Sequence, residues 1–211
     1  MSRRKVDLRI EPVLAGMMLP RHGAPADRML DAATALMREH GLRRWTVEDV
    51  AERAGLGRTT VYRTFTDRAE LVHAVLAREL RDTIATIARA ASTQDSIEDK
   101  VVAGGAAALE ALSTSIVDRL IQTDPVTVLP FLTVDAGPLL AIAREAIGAQ
   151  IRAVDPTISS ALATEIAEAA ARLGLSFVLV RDTVVAIDDP DALRRYVRAL
   201  LQPILTSFGT A

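Results

Sequence analysis

The stretch from Thr46 to Phe65 constrains the fold most, because it fits two helix starts and a glycine turn into twenty residues. Thr46 can cap a helix and Asp49 can answer from the third position, satisfying backbone N–H groups that any helix start leaves open. Gly55 ends that helix, Leu56-Gly57 turn the chain, and a second short helix covers Arg58–Phe65. Ala51 and Ala54 are small enough for the two helices to approach closely. Val50, Leu56, Val61 and Phe65 supply a small core between them and the helix before. Two short helices joined this way form the unit that lays its second helix in a DNA major groove. Arg58, Thr59, Thr60, Tyr62, Arg63 and Thr64 would then face the groove. They offer guanidinium forks for guanine edges, methyl groups for thymine and hydroxyls for phosphate. The same spacing also describes an ordinary helical hairpin with a solvated polar face.

Helical patterning continues on both sides. Half of the residues are hydrophobic, only 3% are aromatic, and no segment alternates apolar and polar residues over strand length, so the expected class is all-α. Pro25 suits a first turn, and Leu30, Ala33, Leu36 and Met37 recur at helical spacing until Gly41. Asp67 and Glu70 form a second capping pattern that opens a long helix to about Ala91. Further helices are expected at about 97–113, 115–123 and 137–154, broken by Asp124-Pro125, Gly137-Pro138 and Asp155-Pro156. A long one follows over about 158–186, and a last one after Asp188-Asp189-Pro190. Residues 1–24, interrupted by Pro12, Pro20 and Gly23, read as an arm with at most a short helical turn around Val13–Met18.

Charge is divided unevenly. Residues 1–90 carry 16 Arg and Lys against 12 Asp and Glu, and residues 91–211 carry 9 against 15, within a net charge of −2. A basic amino-terminal part on an acidic remainder suits contact with phosphate at one end only. Arg3, Arg4 and Lys5 can serve as a basic arm for a minor groove, or simply be solvated. The apolar run Val13–Leu19 is short and separated from them by Asp7, Arg9 and Glu11, unlike a signal peptide. No stretch of about 18 apolar residues is free of charge, so a cytoplasmic protein is expected. Catalysis finds no support. There is no cysteine; His22, His40 and His73 are scattered; and Gly104-Gly105 lie in helical pattern with no strand before them. No cofactor or metal is expected.

The long late helix carries a stripe of Ala163, Ile166, Ala170, Leu173, Phe177, Val180, Val184 and Ile187, at intervals of 3, 4, 3, 4, 3, 4 and 3. The last helix adds Leu193, Val197, Leu200, Leu201, Ile204 and Phe208. Such a stripe seals helices packed at a shallow angle, within one chain or between two.

The run Thr46-Val-Glu-Asp-Val-Ala-Glu-Arg-Ala-Gly-Leu-Gly-Arg-Thr-Thr-Val-Tyr-Arg-Thr-Phe65, then Thr-Asp-Arg68-Ala-Glu-Leu71, closely resembles the DNA-binding region of TetR-family regulators. The likeness reaches back through Ala26–Gly41. It implies that Thr46 caps its helix and holds a phosphate, and that Arg58 and Thr59 read bases. Thr60 and Tyr62 would contact phosphate and sugar, and Arg68 would occupy a basic position that grips backbone phosphate. Gly57 departs from a frequent capping Ser, and Thr64 from a frequent His. Ala171–Val180, Ile187–Leu193 and Leu201–Leu205, with Thr123–Thr133 and Asp135–Leu140, resemble more loosely the endings of a subset common in actinobacteria.

The family resemblance implies an arm (1–24), a helix-turn-helix domain (25–72) and a helical ligand-binding and dimerisation domain (73–211). It implies a homodimer on a pseudo-palindromic operator, with Ile166, Ala170, Leu173, Phe177, Val180, Val184, Leu193, Val197, Leu200, Leu201 and Ile204 at the subunit seam. The middle helices would enclose a pocket, for which Ile116, Leu120, Val128, Leu129, Phe131, Leu132, Leu139, Leu140 and Phe177 are candidates. Their aliphatic character suits a hydrophobic or amphipathic effector, or else simply a filled core. The implied activity is ligand-responsive repression; the alternative is a DNA-binding regulator controlled by a protein partner.

Overall fold

The computed structural model describes residues 8–18, 23–180, 182–186, 189, 191–196 and 198–200. Among these residues there is no strand, and the chain is all-α as expected. The helices are α1 (Ile10–Met18), α2 (Ala24–His40), α3 (Val47–Ala54), α4 (Arg58–Thr64), α5 (Arg68–Ser92), α6 (Ile97–Thr114), α7 (Ile116–Thr123), α8 (Pro125–Leu132), α9 (Gly137–Val154) and α10 (Ser160–Leu179). Residues 191–196 and 198–200 are also helical. The chain divides into two compact units, one of residues 1–82 with 114–136, the other of 83–113 with 137–211.

In the first unit α2 is amphipathic and buries Met29, Leu30, Ala33 and Met37 along one face. It ends at Gly41, whose φ of 66° few L side chains adopt. The α3 start carries the full capping box: Asp49 N–H donates to Thr46 Oγ1 (3.2 Å), and Thr46 N–H donates to Asp49 Oδ2 (2.7 Å). Gly55 closes α3 in the left-handed conformation (φ 65°), and the Leu56 N–H reaches back to the Ala51 carbonyl at 2.9 Å. Val50, Val61 and Phe65 are buried as the spacing predicts, whereas Leu56 is only half-buried. Trp45, Leu42, Leu71 and Val72 complete the core. α7 starts on Ser115, whose hydroxyl accepts from the Asp118 N–H, and it buries Ile116 and Leu120.

Three elements differ from expectation. α1 is a nine-residue helix rather than a single turn. Pro12 falls in its first turn, where a missing N–H costs nothing; Val13 is buried, and Arg81 donates to the final carbonyls of Gly16 (2.6 Å) and Met17 (3.1 Å). α8 lies where the sequence suggested only a break. Pro125 starts it, and the Asp124 carbonyl accepts the Thr127 and Val128 N–H groups at 3.0 and 3.2 Å. α10 stops at Leu179 instead of about residue 186, with the Val180 N–H closing on the Ser176 carbonyl. The β-branched Thr183-Val184-Val185 are poor helix formers, and Val184 is fully exposed.

In the second unit α9 and α10 pair along Ile151, Ala163 and Ile166, flanked by Ile147, Ile158 and Leu162. Gly148 faces this seam, where an added Cβ would make only ordinary contact with the Ala163 carbonyl at 3.7 Å. Arg144 crosses to Glu168 at 2.8 Å, and Arg172 binds the same carboxylate one turn along α10.

Candidate nucleic-acid interface

α4 is held from beneath and open above. Val61 is fully buried and Phe65 nearly so, which fixes the rotation of a helix too short to be stable alone. Arg58, Thr59, Tyr62, Arg63 and Thr64 are consequently exposed, with Thr60 half-buried. The structure therefore brings all six residues to one short helix, five of them open to solvent. Gly57 precedes α4 without a side-chain cap; its carbonyl accepts the Thr60 N–H at 2.9 Å. The Thr64 hydroxyl donates to the Thr60 carbonyl (3.1 Å), so part of its hydrogen-bonding capacity is used within the helix.

Neighbouring elements add two features that sequence reasoning missed. The first is Glu48 on α3, whose Oε1 accepts the Tyr62 hydroxyl at 3.0 Å. Its carboxyl is held below the ordinary range by its own backbone N–H, then by Tyr62, with Arg58 contributing charge. The Tyr62 phenol is raised in turn, chiefly by that hydrogen bond to Glu48. The second is Trp45, 2% exposed immediately before the Thr46 cap. Its ring lies 5.6 Å beneath the Arg68 guanidinium, and its carbonyl accepts from Arg68 Nη1 at 3.1 Å. Arg68 is thus half-buried and already engaged with the fold. The α5 start beside it carries its own acidic caps, with the Glu70 N–H donating to Asp67 and the Thr66 N–H to Glu70. A lone tryptophan one residue ahead of a capping box was the available signal for the stacked arginine. Nothing in the spacing marked Glu48.

The candidate pocket residues fall in both units. Ile116 and Leu120 on α7 are fully enclosed, Val128 and Leu132 on α8 are buried, and Leu129 and Phe131 are half-buried. Leu139 and Leu140 lie on α9, and Phe177 on α10 meets the Tyr196 ring edge-on at 6.0 Å. Of the candidate seam residues, Ile166 (4% exposed) and Leu193 (3%) are already covered within the chain. Ile166 packs on α9, so its place in the stripe served intrachain packing. Ala170 and Phe177 are half-buried, whereas Leu173, Val180, Val184 and Leu200 are exposed. Val180 and Val184 lie beyond the end of α10. Val197, Leu201, Ile204, Ile187, Phe208 and the basic Arg3, Arg4 and Lys5 fall outside the described residues. Among the described residues, no helix alone is long and apolar enough to cross a membrane, and no group of three or more acidic or His side chains is placed to hold a metal ion.

Comparison with known proteins converges on one family. Residues 29–75 match the bacterial regulatory proteins of the tetR family, and residues 99–195 match the bacterial tetracyclin repressor C-terminal domain. The HTH-type transcriptional regulator TtgR of Pseudomonas putida is 35% identical over 71 residues. That match spans 34% of this chain and 33% of that protein. The TetR family repressor AlkX from Dietzia sp. strain DQ12-45-1b, implicated in biodegradation of n-alkanes, superposes with a TM-score of 0.65 and 26% identity over 89% of this chain and 98% of that one. The fatty acid degradation regulator FadR from Bacillus halodurans shares the fold, with a TM-score of 0.54 and 14% identity over 84% and 96% of the two chains. With the exposed polar face of α4 set on its buried seat, these likenesses make the chain a member of the TetR family of DNA-binding transcriptional regulators, not an enzyme.

Proposed function

We propose that the protein is a ligand-responsive repressor that binds a pseudo-palindromic operator as a homodimer, with α4 as the recognition helix. The observation that carries this reading is the orientation of α4: Val61 is sealed inward, leaving Arg58, Thr59, Tyr62 and Arg63 outward. Arg58 and Thr59, on the first turn, read base edges; Thr60, Tyr62, Arg63, Thr64 and Thr46 contact the backbone. Arg68 assists mainly by holding the Trp45 carbonyl beside the Thr46 cap, a role its half-burial favours over a freely reaching phosphate contact.

Two copies are needed because one short helix reads only a few base pairs, and two linked readers gain effective concentration on a symmetric site. Leu173, Val180, Val184 and Leu200, beside half-buried Phe177, supply the uncovered apolar surface for that pairing. The effector is a hydrophobic or amphipathic small molecule received by the aliphatic α7–α8 segment. The likeness to AlkX, implicated in n-alkane biodegradation, supports that chemical class. Ligand binding releases DNA through differential affinity for two conformations. In a bacterium this work takes place in the cytoplasm, where the chromosome is.

Operator fragments selected from genomic DNA provide the test. Arg58→Ala is expected to relax preference at one or two base positions and to cost about 1–3 kcal/mol. Unchanged selectivity would remove α4 from the reading role. Thermal-shift screening with medium-chain alkanes, alcohols and fatty acids should find stabilising ligands that release operator. A uniformly flat screen would favour control by a protein partner.

A further inference from the structure

We propose that Asp124, at the joint between α7 and α8, is a positioning residue for DNA binding that sets the α2–α3 loop and, through Trp45, the Thr46–Arg68 end of the reader. The proposal rests on the operator-binding reading above and adds to it a residue far from the groove-facing set.

The Asp124 side chain is only 6% exposed. Its Oδ2 accepts the Leu42 N–H at 2.8 Å, and its Oδ1 pairs with Arg43 Nε at 3.0 Å, so one carboxylate holds two consecutive residues of the loop. Gly41 makes room for it: a Cβ there would lie 2.5 Å from Oδ2, and the φ of 66° independently favours glycine. The Asp124 backbone is equally committed. Its N–H closes α7 on the Leu120 carbonyl at 2.8 Å, and its carbonyl opens α8. Two more ties run the same way, from Arg119 Nε to the Arg38 carbonyl (3.1 Å) and from Arg38 Nη2 to the Thr114 carbonyl (3.0 Å).

From Leu42 and Arg43 the contacts continue without a gap. Trp45 Nε1 donates to the Gly41 carbonyl at 3.0 Å, the buried indole carries the Arg68 guanidinium, and Thr46 follows as the α3 cap. A buried charge is a poor way to gain stability, since desolvation offsets most of the ion-pair attraction; its advantage is fixing one geometry. Here the geometry fixed is that of the loop entering the reader. A displacement of the α7–α8 joint is therefore carried to Thr46 and Arg68 through bonded and stacked groups.

A double-mutant cycle on operator DNA tests this, with a thermal melt followed by circular dichroism as the folding control. Asp124→Asn is expected to weaken operator binding about tenfold with the salt slope unchanged, because the end of the reader it positions works through the neutral Thr46 cap. In an Arg68→Ala background the same change should cost less than about twofold, whereas with Arg58→Ala the losses should multiply. Binding within about twofold of the parent, or an equal factor in both backgrounds, would overturn the proposal. Should Asp124→Asn fail to fold, Arg43→Gln, which alters an exposed side chain, goes through the same cycle, and the same two results support or overturn the proposal. A parent protein without salt-dependent affinity for any duplex would sink the operator-binding reading itself, a result distinct from either.

Discussion

The α3–α4 region and the outer side of α10 use similar apolar residues to different ends. Around α4 every large apolar residue that points inward is covered by the same chain: Trp45, Val50, Val61, Phe65 and Leu71 are at most 2% exposed. α10 covers Ala163, Ile166, Ala167 and Ala171 but leaves Leu173 40% exposed, with Val180 beyond it at 61%. The reader's core is completed within its own unit, and its surface is mainly polar apart from half-buried Leu56 and the Tyr62 ring. α10 has apolar residues on more sides than its own chain can cover. Contiguous uncovered aliphatic surface suits association, which is why the proposed seam between copies is placed there.

The difference can be broken at either end. Trp45→Ala should have the largest effect, destabilising the first unit by about 3–5 kcal/mol through the cavity it leaves. Urea denaturation followed by circular dichroism measures it, and a loss under about 1 kcal/mol would mean that the reader is not held by its own core. Leu173→Glu should leave the melt of each chain nearly unchanged but yield monomers in sedimentation at micromolar concentration. Operator affinity should fall about a hundredfold as the second reader is lost. A dimer as stable as the parent would move the seam elsewhere. Thr46→Ala, which removes half of the capping box, should cost only about 1 kcal/mol, because the α3 face beneath it stays buried.

That contrast also explains what could be read in advance. Capping boxes, glycine stops and a buried valine act over four or five residues, so Thr46, Gly55 and Val61 announced the reader and the rotation of α4. The stripe on α10 was visible too, but periodicity reports only that a face is apolar, not which neighbour covers it. Ile166 and Leu193 therefore read as seam residues, although α9 covers the first and the second is also buried within the chain. α8 escaped because Asp124-Pro125 breaks one helix and starts another in the same two residues. Contacts between residues distant in sequence, such as Asp124 with Leu42 or Arg68 with Trp45, leave no local pattern.

The smallest effect tests how far the reader organises even its outward face. Tyr62 is 47% exposed, yet its hydroxyl is committed to Glu48. Because the phenol is raised above its ordinary 10.0, the bond is intact below that value and is lost as pH rises through the shifted one. Glu48 works in the opposite sense: with its carboxyl lowered from 4.5, the contribution is present above that value and fades as pH falls through the lower one. Both conditions hold together near neutrality, where DNA would be met. With Tyr196→Phe leaving Tyr62 as the only phenol of the original 2, a phenolate absorbance titration should give a midpoint above 10.0, moving down when Glu48→Ala is added. An unmoved midpoint would show that the bond does not persist in solution. Tyr62 would then be free to turn to phosphate, whereas a persistent bond makes it exchange Glu48 for DNA or carry a carboxylate to the duplex. A carboxylate held there would repel phosphate on any duplex alike, tempering the sequence-independent attraction of the exposed α4 cations and leaving discrimination to base contacts.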